Sequence, residues 1–483
     1  MKKRNAFLLL CTVCVVGVGS AFWGMKIAHQ TGYKPSFQII GDVAEVVVIQ
    51  DLDTYTHHPF TYKEAPFEGV SLGEILEQVT LIDANSSLHY VGNDGLVSQV
   101  DARTVEETYC LFSNENGWEL INLKHPISSN MKHLKEIVVV SEEPHSSNSF
   151  SIFDTQENFM RFTPGEMYVN PHTLEKTFEG ESMIHDNFVR VYTSHITHDM
   201  EEIMNNLEKS PDKIGSVFLR DGSIVNEKMN GTIELVKNKI NYVGKTGEYL
   251  YDDVVGLYIG EQIGHLSDAY YEMEHYLKAD EKMMVLFIDG FSYATYEEAL
   301  RRNIIPTIAT GSVSQVFCSH ESVTNTGFAT MITGVTPEVH GVHNREYRSL
   351  NVDTIFQLAL DLGIQTAFLE GSTKILDTEI SPTLHIGGDL EIMQSTKEAV
   401  LNGDEFIFVH AHQLDEYGHL AGVDDQILYD YLETLDEVIA DLVEHFDGKI
   451  MITTDHGMHN TEDAGDHGDL RYEDIVIPLI RLY

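Results

Sequence analysis

Three short, wholly apolar runs set the fold of this 483-residue chain. Met283–Ile288 (MMVLFI), Phe406–Val409 and Ile450–Thr453 carry no charge and no apolar–polar alternation. A strand with one wet face alternates, whereas a continuous apolar run is expected of a strand buried on both faces. Helical stretches lie between them, Thr354–Leu362 and Asp425–Phe446. In the second, Leu428, Tyr431, Leu432, Leu435, Val438, Ile439, Leu442 and Phe446 recur at threes and fours as one wide apolar stripe. The alternation predicts an α/β fold over residues 282–483: a doubly wound, mostly parallel sheet with helices on both faces. In such sheets a site forms at the carboxyl ends of the strands.

Those ends are where the metal-ligand residue types cluster. Met283–Ile288 runs into Asp289-Gly290, and Phe406–Val409 is followed by Asp415-Glu416-Tyr417-Gly418-His419. Ile450–Thr454 runs into Asp455-His456-Gly457, and Gly465-Asp466-His467-Gly468 follows near the C-terminus. Each piece alone has an ordinary explanation: a helix N-cap, a solvated helix face, a hydrogen-bonded histidine. Together they place three carboxylates and three imidazoles along one sheet edge, a mixed donor set that suits zinc.

These segments, in this order and spacing, resemble the alkaline phosphatase superfamily, most of all its nucleotide pyrophosphatase/phosphodiesterase and phosphonoacetate hydrolase branches. The resemblance rests on Phe287-Ile288-Asp289-Gly290-Phe291, on Thr324-Asn325-Thr326-Gly327 running to Met331-Ile332-Thr333-Gly334, and on Pro337-Glu338-Val339-His340-Gly341. Asp415–His419, Thr454-Asp455-His456-Gly457-Met458 and His467 complete it. It implies that Asp415, His419 and His467 hold one divalent ion. Asp289, Asp455 and His456, with a nucleophile hydroxyl, hold a second; both ions are expected to be zinc, with manganese as the alternative. Two ions about 4 Å apart clamp an in-line displacement at phosphorus.

The resemblance also implies Thr324 as nucleophile and, with it, as a metal ligand, because the family's nucleophile stands ten residues before the glycine of a Thr-Gly pair, here Gly334. Read from residue type alone, Ser322 and Thr326 compete with it. Gly327–Ile332 reads as helical, so its first amides face an anion site. One departure stands out. The phosphodiesterase branch carries an asparagine three residues after the nucleophile, and here that position is Gly327; Asn325 is the substrate-binding candidate instead. Basic residues near the motifs are few, namely Arg345, Arg348 and Lys374, each expected as a solvated loop charge. That scarcity favours a phosphoryl centre with one charge over one with two.

Composition narrows the partners. Lys+Arg total 31 against 76 Asp+Glu, a formal net charge of −45. Such a surface repels nucleic-acid polymers and anionic lipid, and a small phosphorylated substrate then needs local cations. The four cysteines, Cys11, Cys14, Cys110 and Cys318, make neither a disulfide framework nor a CxxC zinc site. Met1-Lys2-Lys3-Arg4 is basic, and no charge follows until Lys26. Residues 1–26 therefore read as an N-terminal membrane anchor, or as a signal peptide cleaved near Gly19-Ser20-Ala21. Either places the remainder outside the cytoplasmic membrane.

Residues 30–145 read as an α+β domain. Phe37–Ile40, Ala44–Ile49, Leu88–Val91 and Glu136–Val140 are short strands, Ser71–Val79 is a helix capped by its serine, and Asn93-Asp94-Gly95 is a turn. The stretch resembles the molybdopterin-binding fold of the sulfite-oxidase family through Phe67-Glu68-Gly69-Val70-Ser71-Leu72, Leu76, Asn93-Asp94-Gly95, Asn116-Gly117 and Ile137-Val138-Val139-Val140. Cys110 falls in a later strand than the family's metal-ligating cysteine, so no molybdenum cofactor is expected. Residues 150–280 read as a β-rich accessory domain or insertion, with a helix over Asp199–Leu207. The whole predicts an extracytoplasmic, metal-dependent phosphodiesterase or nucleotide pyrophosphatase. The rivals are a phosphonate hydrolase or phosphomonoesterase and, from another class, an inactive cell-surface binding protein on the same fold.

Overall fold

The computed structural model describes residues 35–142, 149–155, 159–169, 174–184, 187–236, 238–245 and 250–483. The expected anchor or signal peptide over residues 1–26 lies outside them. Among the described residues no helix is long and apolar enough to cross a membrane. The chain forms two compact units. One comprises Met1–Asn148, Phe162–Ile196 and Leu235–Asn238; the other comprises Ser149–Arg161, Thr197–Glu234 and Lys239–Tyr483. The stretch 150–280 is thus shared between them.

The first unit holds a five-stranded sheet in the order Val47–Ile49, Phe37–Gly41, Leu134–Ser141, Ser86–Gly92, Val97–Asp101. It also holds a four-stranded antiparallel sheet of His57–Tyr62, Ala65–Ser71, Thr108–Ser113 and Gly117–Asn122. In Ser86–Gly92 alternate residues are buried, the period-2 pattern of a strand with one core face. Phe37, Val70, Ile75, Tyr90, Cys110, Trp118 and Ile137 share one core. Two expected elements are shorter than the sequence suggests. The helix spans only Leu72–Leu76, and Ser71 makes no side-chain cap; beyond it the amides of Gln78 and Val79 bond three residues back and tighten the turn. The second strand begins at Val47, because the Ala44 amide leaves the ladder for the Thr80 carbonyl at 2.9 Å. Cys110 is fully buried, and burial pushes its thiol well up from the usual range, away from the thiolate that a metal requires.

The second unit is built on an eight-stranded sheet. Its order is Gly264–His265, Ser312–Phe317, Val476–Leu482, Lys449–Thr453, Met283–Ile288, Phe406–Ala411, Thr366–Glu370, Thr383–Leu384. All neighbours are parallel except at Val476–Leu482, which runs antiparallel to both of its own. The sheet thus starts upstream of residue 282. Every residue of Met283–Ile288 is buried. Met283, Val285 and Phe287 enter one core cluster with the helices Asp268–Lys278, Thr324–Thr333 and Ile355–Leu362. Met284, Leu286 and Ile288 enter another, with Tyr293–Arg302, Asp389–Asn402 and Gln426–His445. Helices therefore cover both faces. Each side chain so buried contributes about 1.5–3 kcal/mol relative to exposure. Gln426–His445 is capped by Asp425, whose side chain accepts from the Ile427 amide. A second, mixed sheet of Phe150–Phe153, Val254–Tyr258, Ile214–Leu219 and Ile224–Lys228 belongs to the same unit.

Candidate metal centre

The three central parallel strands end side by side, and their carboxyl ends carry the ligand-type residues. Asp289 follows Ile288, and its amide bonds the Ala411 carbonyl at 2.9 Å. Asp455 and His456 follow Lys449–Thr453. Asp415 and His419 lie one turn apart on the helix Gln413–Ala421. His467 follows the Gly465–Asp466 strand, which pairs with His459–Asn460. Gly290 explains how two of these loops meet. It sits at φ +76°, and an added Cβ would stand 3.2 Å from the Asp415 Cα, so only glycine gives both the turn and the close approach.

The six candidate ligands fall into two groups, Asp415/His419/His467 and Asp289/Asp455/His456. In the first, His419 Nε2 lies 3.5 Å from Asp415 Oδ2 and His467 Nε2 lies 3.6 Å from Asp415 Oδ1. In the second, His456 Nε2 lies 3.4 Å from Asp289 Oδ1 and 3.3 Å from Asp455 Oδ2. The imidazoles share one arrangement. The Nδ1 of His419, His456 and His467 stands at the carbonyl of Gly465 (3.1 Å), Gly457 (2.9 Å) and Ser322 (2.9 Å) respectively. A carbonyl only accepts, so each Nδ1 carries the proton and each Nε2 presents its lone pair. Asp289 Oδ1, Asp415 Oδ1 and Asp455 Oδ2 are buried with no hydrogen-bond partner.

Charge crowding matches this geometry. Burial, then the Asp289 carboxylate, raises Asp415 to about 8, and the same two causes raise Asp455 to about 6. Burial alone would raise Asp289 as well, but the His410, His412 and His456 imidazoles outweigh it and hold that carboxyl well below its ordinary range. Burial and the neighbouring His456 ring hold His467 down to about 2. Three carboxylates this close are at odds with one another unless a cation stands among them.

Thr324 is the first residue of the helix Thr324–Thr333. Its Oγ1 is 3.3 Å from His456 Nε2, and the residue is partly exposed, whereas Ser322 and Thr326 are buried. Ser322 Oγ donates to the Asp469 carbonyl at 3.0 Å. Val323, at the N-cap position, supplies no side-chain bond to that helix. Asn325 is buried, and its amide donates to the Tyr347 carbonyl at 2.7 Å and the Arg345 carbonyl at 3.4 Å. Its visible task is to hold the 345–347 segment. That segment delivers Arg345, whose Nη2 is 2.8 Å from His467 Nε2. Arg348 instead bonds the Lys374 carbonyl, and Lys374 pairs with Asp377 at 3.2 Å. Gly327 faces the Asp455 backbone: a Cβ there would stand 2.2 Å from the Asp455 carbonyl oxygen, which leaves no room for an asparagine.

Sequence reasoning missed His410, His412 and Glu370. His410 lies in Phe406–Ala411, and His412 lies just beyond it at the start of Gln413–Ala421; a His-x-His pair at a predicted buried strand end was the available signal. Glu370 ends the neighbouring strand, and its Oε1 lies 3.1 Å from His410 Nδ1.

Residues 375–475 match the family model described as type I phosphodiesterase / nucleotide pyrophosphatase. No curated protein matches the chain. Among solved structures, phosphonoacetate hydrolase from Sinorhizobium meliloti 1021, in complex with phosphonoformate, aligns at 16% identity with a TM-score of 0.31, over 37% of this chain and 56% of that one. Murine ectonucleotide pyrophosphatase / phosphodiesterase 5 aligns at 16% identity with a TM-score of 0.30, over 38% of this chain and 58% of that one. The chain thus spans little more than half the length of either. The segment 375–475, which carries Asp415, His419, Asp455, His456 and His467, is thus similar to the type I phosphodiesterase / nucleotide pyrophosphatase family.

Proposed function

We propose that this chain is a metal-dependent phosphohydrolase that cleaves phosphodiester or pyrophosphate bonds of small substrates, with Thr324 as nucleophile. The observation that carries the reading is a partly exposed threonine hydroxyl 3.3 Å from His456 Nε2, at the uncapped start of a ten-residue helix, beside two carboxylate–imidazole groups. The donors fit divalent ions: each imidazole has its tautomer set by a carbonyl, and three buried carboxylate oxygens lack hydrogen bonds. Asp415, His419 and His467 hold one ion; Asp289, Asp455, His456 and Thr324 hold the other. When bound, two zinc ions supply the positive field a −45 chain otherwise lacks and lower the pKa of a nearby hydroxyl.

The protein's own residues do the rest. Thr324 Oγ1, its proton released to solvent, attacks phosphorus in line as the bond to the leaving oxygen breaks and that oxygen takes a proton from water. A water molecule then attacks the phosphothreonine, its oxygen remaining on phosphorus and a proton returning to Oγ1. The first amides of Thr324–Thr333 face the phosphoryl oxygens, favoured by the helix dipole. Asn325 acts through the 345–347 segment. The leader, 1–26, keeps the enzyme outside the cytoplasmic membrane as an anchor or a cleaved signal, and the first unit works without molybdenum.

A second reading has its own support. Arg345 reaches His467 and provides a cation for a third phosphoryl oxygen or a substrate carboxylate, as a monoester or phosphonate requires. A panel of nitrophenyl monoester, diester, nucleotide ester and phosphonate, assayed with the zinc-loaded protein, separates the two. The diester or nucleotide ester is expected to give the highest kcat/KM. A clear monoester or phosphonate preference that Arg345→Ala abolishes establishes the second reading. Absence of hydrolysis across the panel refutes both.

A further inference from the structure

Asp289 uses only one of its oxygens on the groups described so far. Oδ1 faces His456. Oδ2 lies 3.4 Å from His410 Nε2 and 3.3 Å from His412 Nδ1. The three residues offer ligand atoms all within 4.8 Å of one another. Ligands about 2.1 Å from a tetrahedral zinc ion stand about 3.4 Å apart, so these contacts already have the spacing of a coordination shell.

We propose that a third divalent ion, of zinc type, binds between Asp289 Oδ2, His410 Nε2 and His412 Nδ1, with Asp289 bridging it to the Asp455/His456 site. Four observations support this. First, His410 is fully buried and its Nε2 makes no hydrogen bond among the described residues, facing Asp289 Oδ2 at 3.4 Å with a gap that a metal ion would bridge. Second, its other nitrogen lies 3.1 Å from the Glu370 carboxylate, itself fully buried. That is the outer-shell carboxylate which orients a ligating imidazole and raises its basicity. Third, the His410 ring and the His412 backbone are held. His410 stacks on Phe287 at 3.8 Å between centroids, and Asp389 anchors the backbone of His412 and Gln413, accepting from their amides at 3.0 and 2.9 Å. Fourth, an entry path exists: His412 lines a cavity of about 430 Å³ together with Gly371, His385, Gln413 and Glu416. The donor set of two imidazoles and one carboxylate favours zinc over magnesium, which demands oxygen ligands.

The proposal rests on the two-ion reading, and metal counting separates the two. The full-length protein is dialysed against zinc without chelator and its zinc measured per chain. Three equivalents are expected for wild type, and two for His410→Ala and His412→Ala. His412, being partly exposed, is the variant less burdened by core damage. Cobalt loading adds a second measure: wild type should show one more tetrahedral absorbance component in titration than His412→Ala. Two equivalents in wild type, unchanged in both variants, overturn the third ion and leave the other two standing. None or one in wild type overturns the two-ion reading itself. If both variants keep three equivalents, these residues hold no ion.

Discussion

Replacing Gly327 with alanine adds one methyl group at the point where the nucleophile's helix touches a candidate ligand. That methyl would lie 2.2 Å from the Asp455 carbonyl oxygen and 2.7 Å from the carbonyl carbon and Cα. All three atoms are backbone of a fully buried residue, so no flexible side chain can swing aside. Relief requires the helix and the Asp455 strand end to separate by about 1 Å. Overpacking of this kind costs about 1–3 kcal/mol, which lowers Tm by about 2–12 °C in a domain of this size. The functional cost is larger, because the same helix begins at Thr324 and a misplacement near 1 Å reduces turnover about 100-fold. Zinc-loaded wild type and Gly327→Ala are compared by kcat/KM on the best ester of the panel and by calorimetry. Gly327→Asn, which restores the family's side chain, should be worse than alanine. Gly73→Ala is the control, since its new methyl would meet nothing closer than 3.5 Å. Activity of Gly327→Ala within about threefold of wild type, with unchanged Tm, would falsify the packing argument.

Thr324→Ala should keep the fold and lose at least about 1,000-fold in kcat, and Thr324→Ser should recover part of it; a dead Ser322→Ala or Thr326→Ala beside an active Thr324→Ala moves the nucleophile. The metal-free protein should lose stability as pH rises from 6.5 to 8. Acids whose folded pKa is raised, Asp415 to about 8 and Asp455 to about 6, stabilise the fold while protonated and lose that contribution as they ionise. His410, held up to about 9 between Asp289 and Glu370 against the effect of burial, acts in the same direction. His467, held down to about 2, weakens the fold only below about pH 6.5, which is why the window starts there. Asp415 alone accounts for about 2 kcal/mol over that window. Calorimetry of chelated protein that shows a flat or rising Tm from pH 6.5 to 8 contradicts the crowding argument, and zinc should raise Tm more at pH 8 than at 6.5.

The sequence by itself determined the scaffold of the second unit and the residue types along its edge. Met283–Ile288, Phe406–Val409 and Ile450–Thr453 show their two-sided burial as unbroken apolar runs, since apolar periodicity is a local consequence of which faces meet water. The stripe of Asp425–Phe446 is legible for the same reason and matches the helix Gln426–His445 to one residue at each end. Short elements were less legible: the strand expected from Ala44 and the helix expected to Val79 are cut by backbone hydrogen bonds to distant or turning segments. What only the tertiary structure decided is proximity. Parallel register sets Phe287 beside His410, and Leu369 beside Val409 carries Glu370 to the same place. Asp289 thereby gains His410 as a neighbour, and His410 gains Glu370, from segments roughly 80 to 120 residues away from Asp289 in sequence, a distance no local pattern encodes. The same holds for Arg345, which reads as a loop charge until Asn325 ties its backbone beside His467. It holds too for Gly327, whose missing side chain is explained only by the Asp455 carbonyl packed against it.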